Sequence, residues 1–216
     1  MEASTRQSAL RMRAALERGL HEPVSFRRAL ELVEPAERDG WVDAALGLAE
    51  PPAEGLDLPR GCVPYLPCAV ETLLHAVDQA AIRATDVFVD IGSGLGRAAV
   101  VVHLLTGAQS MGLEVQSALA HGSRELVRRL HLPRVSTLEG DANSLASSLD
   151  TATVFFLYCP FSGERLSRLF ASLEPLARTR TLRICCVDLP SPACAWLVAE
   201  PEQTRNLRIY RSMKPA

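Results

Sequence analysis

The stretch that most constrains the fold of this chain is residues 86–97, which read DVFVDIGSGLGR. Val87, Phe88 and Val89 predict a short buried strand, and an apolar helix is predicted to begin after the last glycine. Three closely spaced glycines permit a tight turn and let backbone N–H groups approach a ligand. A strand, a glycine loop and a helix in this order are typical of a binding loop in an open α/β sheet.

Short apolar segments alternate with helical ones along most of the chain, which predicts right-handed crossovers and a mostly parallel sheet. We predict strands at 87–91, 110–114, 135–138, 153–158, 182–188 and near 207–210, with 195–199 as a further candidate. We predict helices at about 9–20, 25–32, from 35 onward, 69–80, 96–106, 116–130 and 163–177. The expected fold class is a doubly wound, mostly parallel α/β sheet of about seven strands with an N-terminal helical extension.

Domain organisation follows from a proline-rich stretch at about 50–68, which predicts a linker or an ordered loop. We expect residues 1–60 to form a helical cap that helps to define the substrate site. Residues 61–216 are expected to form a Rossmann-like domain. The size of 216 residues suits one such domain with an appendage.

Composition excludes several classes of function. The chain has 25 acidic residues against 23 lysines and arginines, a net charge of −2, so binding to nucleic acid through bulk charge is not expected. No apolar run approaches the roughly 18–20 residues of a membrane span, and the N-terminus lacks the apolar core of a signal peptide. We therefore expect a cytoplasmic protein that binds no membrane.

The six cysteines contain no CxxC pair, so neither a structural zinc site nor another metal site is expected. Free thiols in a reducing compartment are the favoured interpretation. Cys185 and Cys186 are neighbours in a predicted strand, and should therefore point to opposite faces of the sheet. Metalloid methylation through Cys62, Cys68 and Cys159 is conceivable, because thiolates suit a soft ion, but their spacing does not specify it.

The position of an acid in the glycine loop distinguishes between cofactors. Asp90 lies two residues before Gly92, and the pattern continues as Asp-x-Gly-x-Gly-x-Gly through Gly94 and Gly96. A carboxylate here would repel a pyrophosphate but suits a cationic cofactor with a free ammonium group. A nicotinamide-dependent oxidoreductase would use GxGxxG instead, and no catalytic dyad for hydride transfer is evident, so that alternative is disfavoured.

Two further acids follow the next two predicted strands. Glu114 ends the second strand, where a carboxylate can accept hydrogen bonds from both hydroxyls of a ribose. Asp141 follows the third strand in the sequence LEGDA and can accept a hydrogen bond from an exocyclic adenine amine. Because parallel strands present their carboxyl ends at one edge of a sheet, Asp90, Glu114 and Asp141 should face one crevice.

At these residues the chain resembles the class I S-adenosylmethionine (SAM)-dependent methyltransferases. VDIGSGLGR is similar to their first motif, GLEV to their ribose-binding motif and LEGDA to their adenine-side motif, and the resemblance covers about residues 62–190. Within that superfamily the chain looks most like the histone lysine methyltransferases that lack a SET domain, and their prokaryotic relatives. DVFVDIGSGLGR, TLEGDA, TVFFLYCPFSG and the preceding VPYLPCAVETLLHAVD carry this finer likeness.

The resemblance implies a site for SAM, and for its product S-adenosylhomocysteine, at the carboxyl edge of the sheet. The candidate cofactor-binding residues are Asp90, Gly92, Ser93, Gly94, Gly96, Glu114, Val115, Asp141, Ala142 and Tyr65. Tyr65 is expected to cover the cofactor, with simple packing as the alternative. The candidate catalytic residues are Tyr158, Pro160 and Phe161: Tyr158 would orient the methyl acceptor, and the other two would shape the wall of the site.

The predicted function is transfer of a methyl group to an amine, including protein lysine, or to a small-molecule hydroxyl. The acceptor is expected to be a small molecule or a protein. The main alternative is a non-catalytic SAM-binding protein with a degenerate pocket, because YCPF follows the fourth strand where a polar motif is usual. Arg97, at the start of the helix after the glycine loop, is interpreted as a surface residue in preference to a substrate contact.

Overall fold

The computed structural model describes residues 1–48, 58, 61–201, 204 and 206–213. Within these residues seven strands form a single sheet, and their apolar, β-branched and aromatic content is typical of buried strands. The strands are β1 (Val87–Ile91), β2 (Gln109–Glu114), β3 (Val135–Glu139), β4 (Val154–Tyr158), β5 (Arg183–Val187), β6 (Leu197–Ala199) and β7 (Leu207–Ser212).

The helices lie between these strands and before β1. They are α1 (Ala3–Leu16), α2 (Pro23–Glu31), α3 (Arg38–Leu46), α4 (Val70–Gln79), α5 (Arg97–Thr106), α6 (Ser117–Arg129), α7 (Ala142–Leu145) and α8 (Gly163–Ala177). Short 3-10 helices span Pro35–Glu37 and Ala146–Ser148. In the described part of the chain, no helix is long and apolar enough to cross a membrane.

The strand order is β3-β2-β1-β4-β5-β7-β6. The five strands from β3 to β5 are parallel, and β7 pairs antiparallel with both β5 and β6. From β1 the chain proceeds outward through β2 and β3, and then returns to the other side of β1 as β4. The switch point therefore lies between β1 and β4, where ligands bind in open α/β sheets.

The two faces of the sheet bury different helices. One face packs on α1 to α5 and part of α6 through residues such as Phe88 and Phe156, and the other packs on α7 and α8 through residues such as Phe155. Cys185 belongs to the first core and Cys186 to the second, which confirms that the two thiols point to opposite faces.

The N-terminal helices share the core of the sheet domain. Trp41 and Phe26 are fully buried, with ring centroids 5.6 Å apart, and belong to the same cluster of side chains as Val100 in α5. The helices are therefore packed on the domain through buried apolar side chains. The predicted boundary near residue 60 stays a prediction, because residues 49–57, 59 and 60 lie outside the described part of the chain.

The predicted fold class is confirmed, and the differences concern short elements and the bounds of α1, which spans Ala3–Leu16 and not 9–20. A 3-10 turn precedes α3, which begins at Arg38 and not at Pro35. The turns spanning 142–148 were not predicted, because seven residues are too few to establish a helical period.

Candidate functional site

A cleft at the carboxyl edge of the parallel strands collects most of the predicted site residues. Its internal volume is about 280 Å³, near the lower end of the roughly 300–1,000 Å³ usual for small-molecule sites. The predicted site residues that line it are Tyr65, Gly92, Glu114, Val115, Asp141, Ala142, Tyr158, Pro160 and Phe161. A small recess beside it is lined by Asp90, Ser93 and Arg97, among others, and shares Tyr65, Leu66, Gly92 and Tyr158 with the cleft. Gly94 and Gly96 line neither.

The three glycines of the loop each allow another part of the protein to approach closely. A Cβ on Gly92 would fall 2.8 Å from Cβ of Pro160, and one on Gly94 would fall 2.0 Å from the ring of Tyr65. A Cβ on Gly96 would fall 2.2 Å from Oγ of Ser123 in α6. All three glycines also have positive φ angles, which side chains disfavour. The loop is therefore held between the turn after β4, α6 and the segment around Tyr65.

Asp90 is a buried carboxylate beside this loop. Only 4% of the residue is exposed, and within the described residues no hydrogen bond to its carboxylate is formed. Burial, and secondarily the negative charge of Glu114, raises the pKa of Asp90 to about 7. A buried carboxylate without a partner is unfavourable, so the recess is suited to a cationic group that would restore its charge.

Glu114, at the end of β2, is oriented by the backbone. One carboxylate oxygen accepts a hydrogen bond from the Gly94 N–H (2.7 Å), and the other accepts one from the Gln116 N–H (2.8 Å). Each oxygen retains a second lone pair for a ligand. The residue is 5% exposed and lines the cleft, so it presents a fixed pair of acceptors.

Asp141 is held from two directions. One oxygen accepts a hydrogen bond from the Asn143 N–H (2.9 Å) and caps α7, as acidic caps commonly do. The other oxygen lies 2.8 Å from the guanidinium of Arg165 in α8. The same guanidinium lies over the ring of Phe161, 5.5 Å from its centroid. Arg165 therefore sets the orientation of Asp141 and also lines the cleft.

The ends of β4 and β5 form the remaining wall. Cys159 and Asp188, which follow these strands, have left-handed backbone angles (φ 42° and 51°). The Cys159 thiol donates to the carbonyl oxygen of Asp188 (3.0 Å), which ties the two turns together. Burial raises the pKa of Tyr158, with Cys68 and Asp188 adding to the effect. Its hydroxyl therefore stays protonated at neutral pH and can orient a group without removing a proton from it.

A segment of the chain, residues 61–69, runs across the cleft and is called here the covering segment. At one end Cys62 forms an isolated antiparallel β-bridge with Phe161, and the Val63 N–H donates to the carbonyl oxygen of Pro160 (3.1 Å). In its middle the Tyr65 ring lies on Gly94. Tyr65 is half-buried, and this burial raises the pKa of its hydroxyl to about 12.

Arg97 corrects one interpretation from the sequence. It is 3% exposed and is not a surface residue. Its guanidinium forms ion pairs with Asp39 (2.8 Å) and Asp43 (2.7 Å) of α3, and it donates to the carbonyl oxygen of Cys68. Sequence reasoning missed this because the two acidic partners lie more than fifty positions away.

Two charged residues of the cleft, Arg165 and Asp188, were also missed, and each has a signal in the sequence. A cation in the first turn of a helix opposes the helix dipole, and Arg165 in the first turn of α8 is such a mismatch. Asp188 follows a parallel strand, as the predicted acids do.

Among the residues that the structure describes, no group of three or more His, Cys, Asp or Glu side chains could hold a metal ion, and Cys62, Cys68 and Cys159 form no such group.

Comparisons with known proteins match part of the sequence and the overall fold. The model of the family described as histone methylation protein DOT1 matches residues 65–132. These residues hold Tyr65, the glycine loop and Glu114, and make up about a third of the chain. No protein of curated function matches the sequence.

Several solved structures share the fold. An RNA methyltransferase from Salinibacter ruber, in complex with S-adenosylhomocysteine, is 21% identical with a TM-score of 0.54, over 69% of this chain and 94% of that one. The putative methyltransferase yhhF from Escherichia coli is 14% identical with a TM-score of 0.56, over 71% and 92%. A mutant of MtNAS in complex with SAM is 16% identical with a TM-score of 0.54, over 68% and 62%.

These matches confirm the resemblance predicted from the sequence. The chain has the mostly parallel α/β fold of the class I SAM-dependent methyltransferases, and its central third matches the DOT1 family model.

Proposed function

We propose that this protein is a SAM-dependent methyltransferase that transfers the methyl group to an amine or a hydroxyl of a small molecule or a protein. The observation that carries the proposal is the convergence of Asp90, Glu114 and Asp141 from three neighbouring strands on one cleft and its recess. The same cleft holds Tyr158 at the end of β4, so a cofactor region and an acceptor region share one cavity.

The residues present fit such a cofactor. Asp90, buried and without a hydrogen bond in the described part of the chain, suits a ligand ammonium group. Glu114, fixed through two backbone N–H groups, suits a pair of ribose hydroxyls. Asp141 suits the exocyclic amine of adenine, with Ala142 and Val115 as apolar neighbours in the cleft wall.

When bound, SAM supplies a methyl group on a positively charged sulfur, which is a good leaving group. The main task of the protein is then to align the acceptor and to exclude water. Tyr158 orients the acceptor through its protonated hydroxyl. Pro160 and Phe161, both buried, shape an apolar wall, and Tyr65 covers the glycine loop.

A second candidate is a SAM-binding protein without catalytic activity. It is favoured by the end of β4, where the run Tyr158–Phe161 offers a single hydroxyl and is otherwise apolar or a thiol of raised pKa. A methyl-transfer assay distinguishes the two candidates. Transfer of label from SAM to any acceptor supports the enzyme, and tight binding without transfer to a broad set of amines and hydroxyls supports the alternative.

The test of the cofactor site is calorimetric titration with SAM and with S-adenosylhomocysteine. We expect micromolar binding by the wild type and severe loss in Glu114→Ala. Glu139→Ala is the matched control, because Glu139 pairs with Glu114 in the β2–β3 register but is exposed and bound to Arg124 and Ser117. A folded wild-type protein that binds neither ligand would overturn the proposal.

A further inference from the structure

Arg97 lies in an unfavourable position for a cation. It is the first residue of α5, where the helix dipole opposes positive charge, and its side chain is only 4% exposed. A buried charge needs a close partner. Both of its carboxylate partners, Asp39 and Asp43, come from α3, so the buried charge at the glycine loop depends on an N-terminal helix.

The same cluster anchors one end of the covering segment. Arg97 donates to the carbonyl oxygen of Cys68, and Asp39 accepts a hydrogen bond from the Val70 N–H (3.0 Å). Two backbone groups, at the end of the segment and at the start of α4, are therefore fixed by one ion-pair cluster. The other end of the segment is fixed separately, through Val63 and Pro160.

Tyr65 lies between these two anchors. Its ring contacts Gly94 and lines both the cleft and the recess that holds Asp90. A ligand in the cleft could not leave past this side without displacing the covering segment. The rigidity of the anchors should therefore govern how fast a bound ligand is released.

We propose that Arg97, with Asp39 and Asp43, is a positioning cluster through which the N-terminal helices hold the covering segment over the cofactor. This inference rests on the proposed function in naming SAM as the ligand. It assigns to α3 a role in cofactor retention, with no contact between α3 and the reacting atoms. The cluster should influence release of the cofactor and its apparent KM more than kcat.

The experiment compares Asp43→Asn with Glu71→Gln. Within the described residues, the Asp43 side chain contacts the cluster through Arg97. Glu71 of α4 pairs with Arg38 of α3 (2.6 Å), so its substitution breaks an ion pair between the N-terminal layer and α4 without touching the anchor. Asp43→Glu, which keeps the carboxylate, is the conservative rescue.

The first readout is the dissociation rate of S-adenosylhomocysteine. We expect it to rise about tenfold in Asp43→Asn, to stay near the wild-type value in Glu71→Gln and to be largely restored in Asp43→Glu. Equal rates in Asp43→Asn and the wild type would overturn the inference while leaving the proposed function intact. A faster dissociation rate in Asp43→Asn would also overturn the inference if Glu71→Gln showed the same increase and if the increase followed the loss of thermal stability in both variants.

The second readout needs no ligand. Amide hydrogen exchange of residues 61–70 in the ligand-free protein should be faster in Asp43→Asn than in Glu71→Gln, with β1 and β4 unchanged in both. Unchanged exchange of this segment would overturn the inference whether or not the protein binds SAM. Failure of the wild type to bind SAM or S-adenosylhomocysteine would instead count against the proposed function.

Discussion

The ring of Tyr65 lies so close to the backbone of Gly94 that a Cβ on the glycine would fall 2.0 Å from Cε2 of the ring. The glycine at this position is therefore needed for the covering segment as well as for the turn, which has a φ of +55°. The contact joins residues that are 29 positions apart in the sequence, and it closes one side of the cleft.

Gly94→Ala should lose most SAM binding and should destabilise the fold by about 2–3 kcal/mol, because the strain of a positive φ adds to the clash. Gly163→Ala is the control: its φ is +59°, but nothing lies within 4 Å of an added Cβ. Thermal unfolding of the two variants separates the cost of the clash, which only Gly94→Ala carries, from the cost of the positive φ, which both carry. In the double variant Gly94→Ala/Tyr65→Ala the clash is removed, so its destabilisation should be less than the sum of the single ones. An additive result would contradict the clash.

Asp90→Asn should stabilise the ligand-free protein at pH 8 and not at pH 4. The pKa of Asp90 is raised from 3.8 to about 7, so the folded state holds this proton more tightly than the unfolded state. The resulting stability is full below about pH 4 and is lost as the pH rises through 7. The rise in pKa corresponds to about 4 kcal/mol at most. Denaturant unfolding at both pH values measures the change in the free energy of unfolding. Asp150→Asn, at an exposed position, is the control.

The same ionisation should control cofactor binding. Protonation of Asp90 removes its attraction for an ammonium group, so the affinity of the wild type for SAM should fall as the pH drops from 8 to 6. Calorimetry at both pH values should show this fall in the wild type. Asp90→Asn should bind weakly at both. A wild-type affinity that does not change with pH would show that Asp90 does not contact the charged group.

Arg165→Gln should weaken binding of SAM and S-adenosylhomocysteine by about 5- to 20-fold, equivalent to about 1–2 kcal/mol. The substitution removes the ion pair that orients Asp141 and the contact with the Phe161 ring. Arg168→Gln, one turn further along α8, breaks only an exposed ion pair with Glu164 and should bind normally. Equal affinities in the two variants would argue against a role for Arg165 in the site.

Tyr158→Phe should lower kcat by about 10- to 100-fold, because misplacement of a reactant can cost up to about 100-fold in rate, while leaving the Kd for SAM nearly unchanged. Tyr65→Phe keeps the ring on Gly94 and should change neither quantity much, whereas Tyr65→Ala should weaken SAM binding. Initial rates and calorimetry on these three variants provide the measurement once an acceptor is known. A Tyr158→Phe variant with full kcat would assign acceptor orientation to another residue.

The strands and the acids at their ends could be predicted because their signals are local. A strand such as β1 is recognisable from its own apolar run, and Asp90 from its spacing to Gly92. Glu114 and Asp141 follow from the rule that parallel strands end at one edge. The short turns at 142–148 were not predictable from periodicity, since the Asp141 side chain caps α7 and no periodic pattern marks these residues.

The sequence by itself determined the α/β fold, the glycine loop and the acids that face one crevice, because strand patterning and glycine spacing act over a few neighbouring residues. Only the tertiary structure decided that Arg165 holds Asp141, that Tyr65 lies on Gly94 and that Arg97 is buried against α3. These contacts join residues 24 to 58 positions apart. Their partners are selected by how the packed helices and loops bring distant side chains and backbone together in space, and no local pattern encodes that choice.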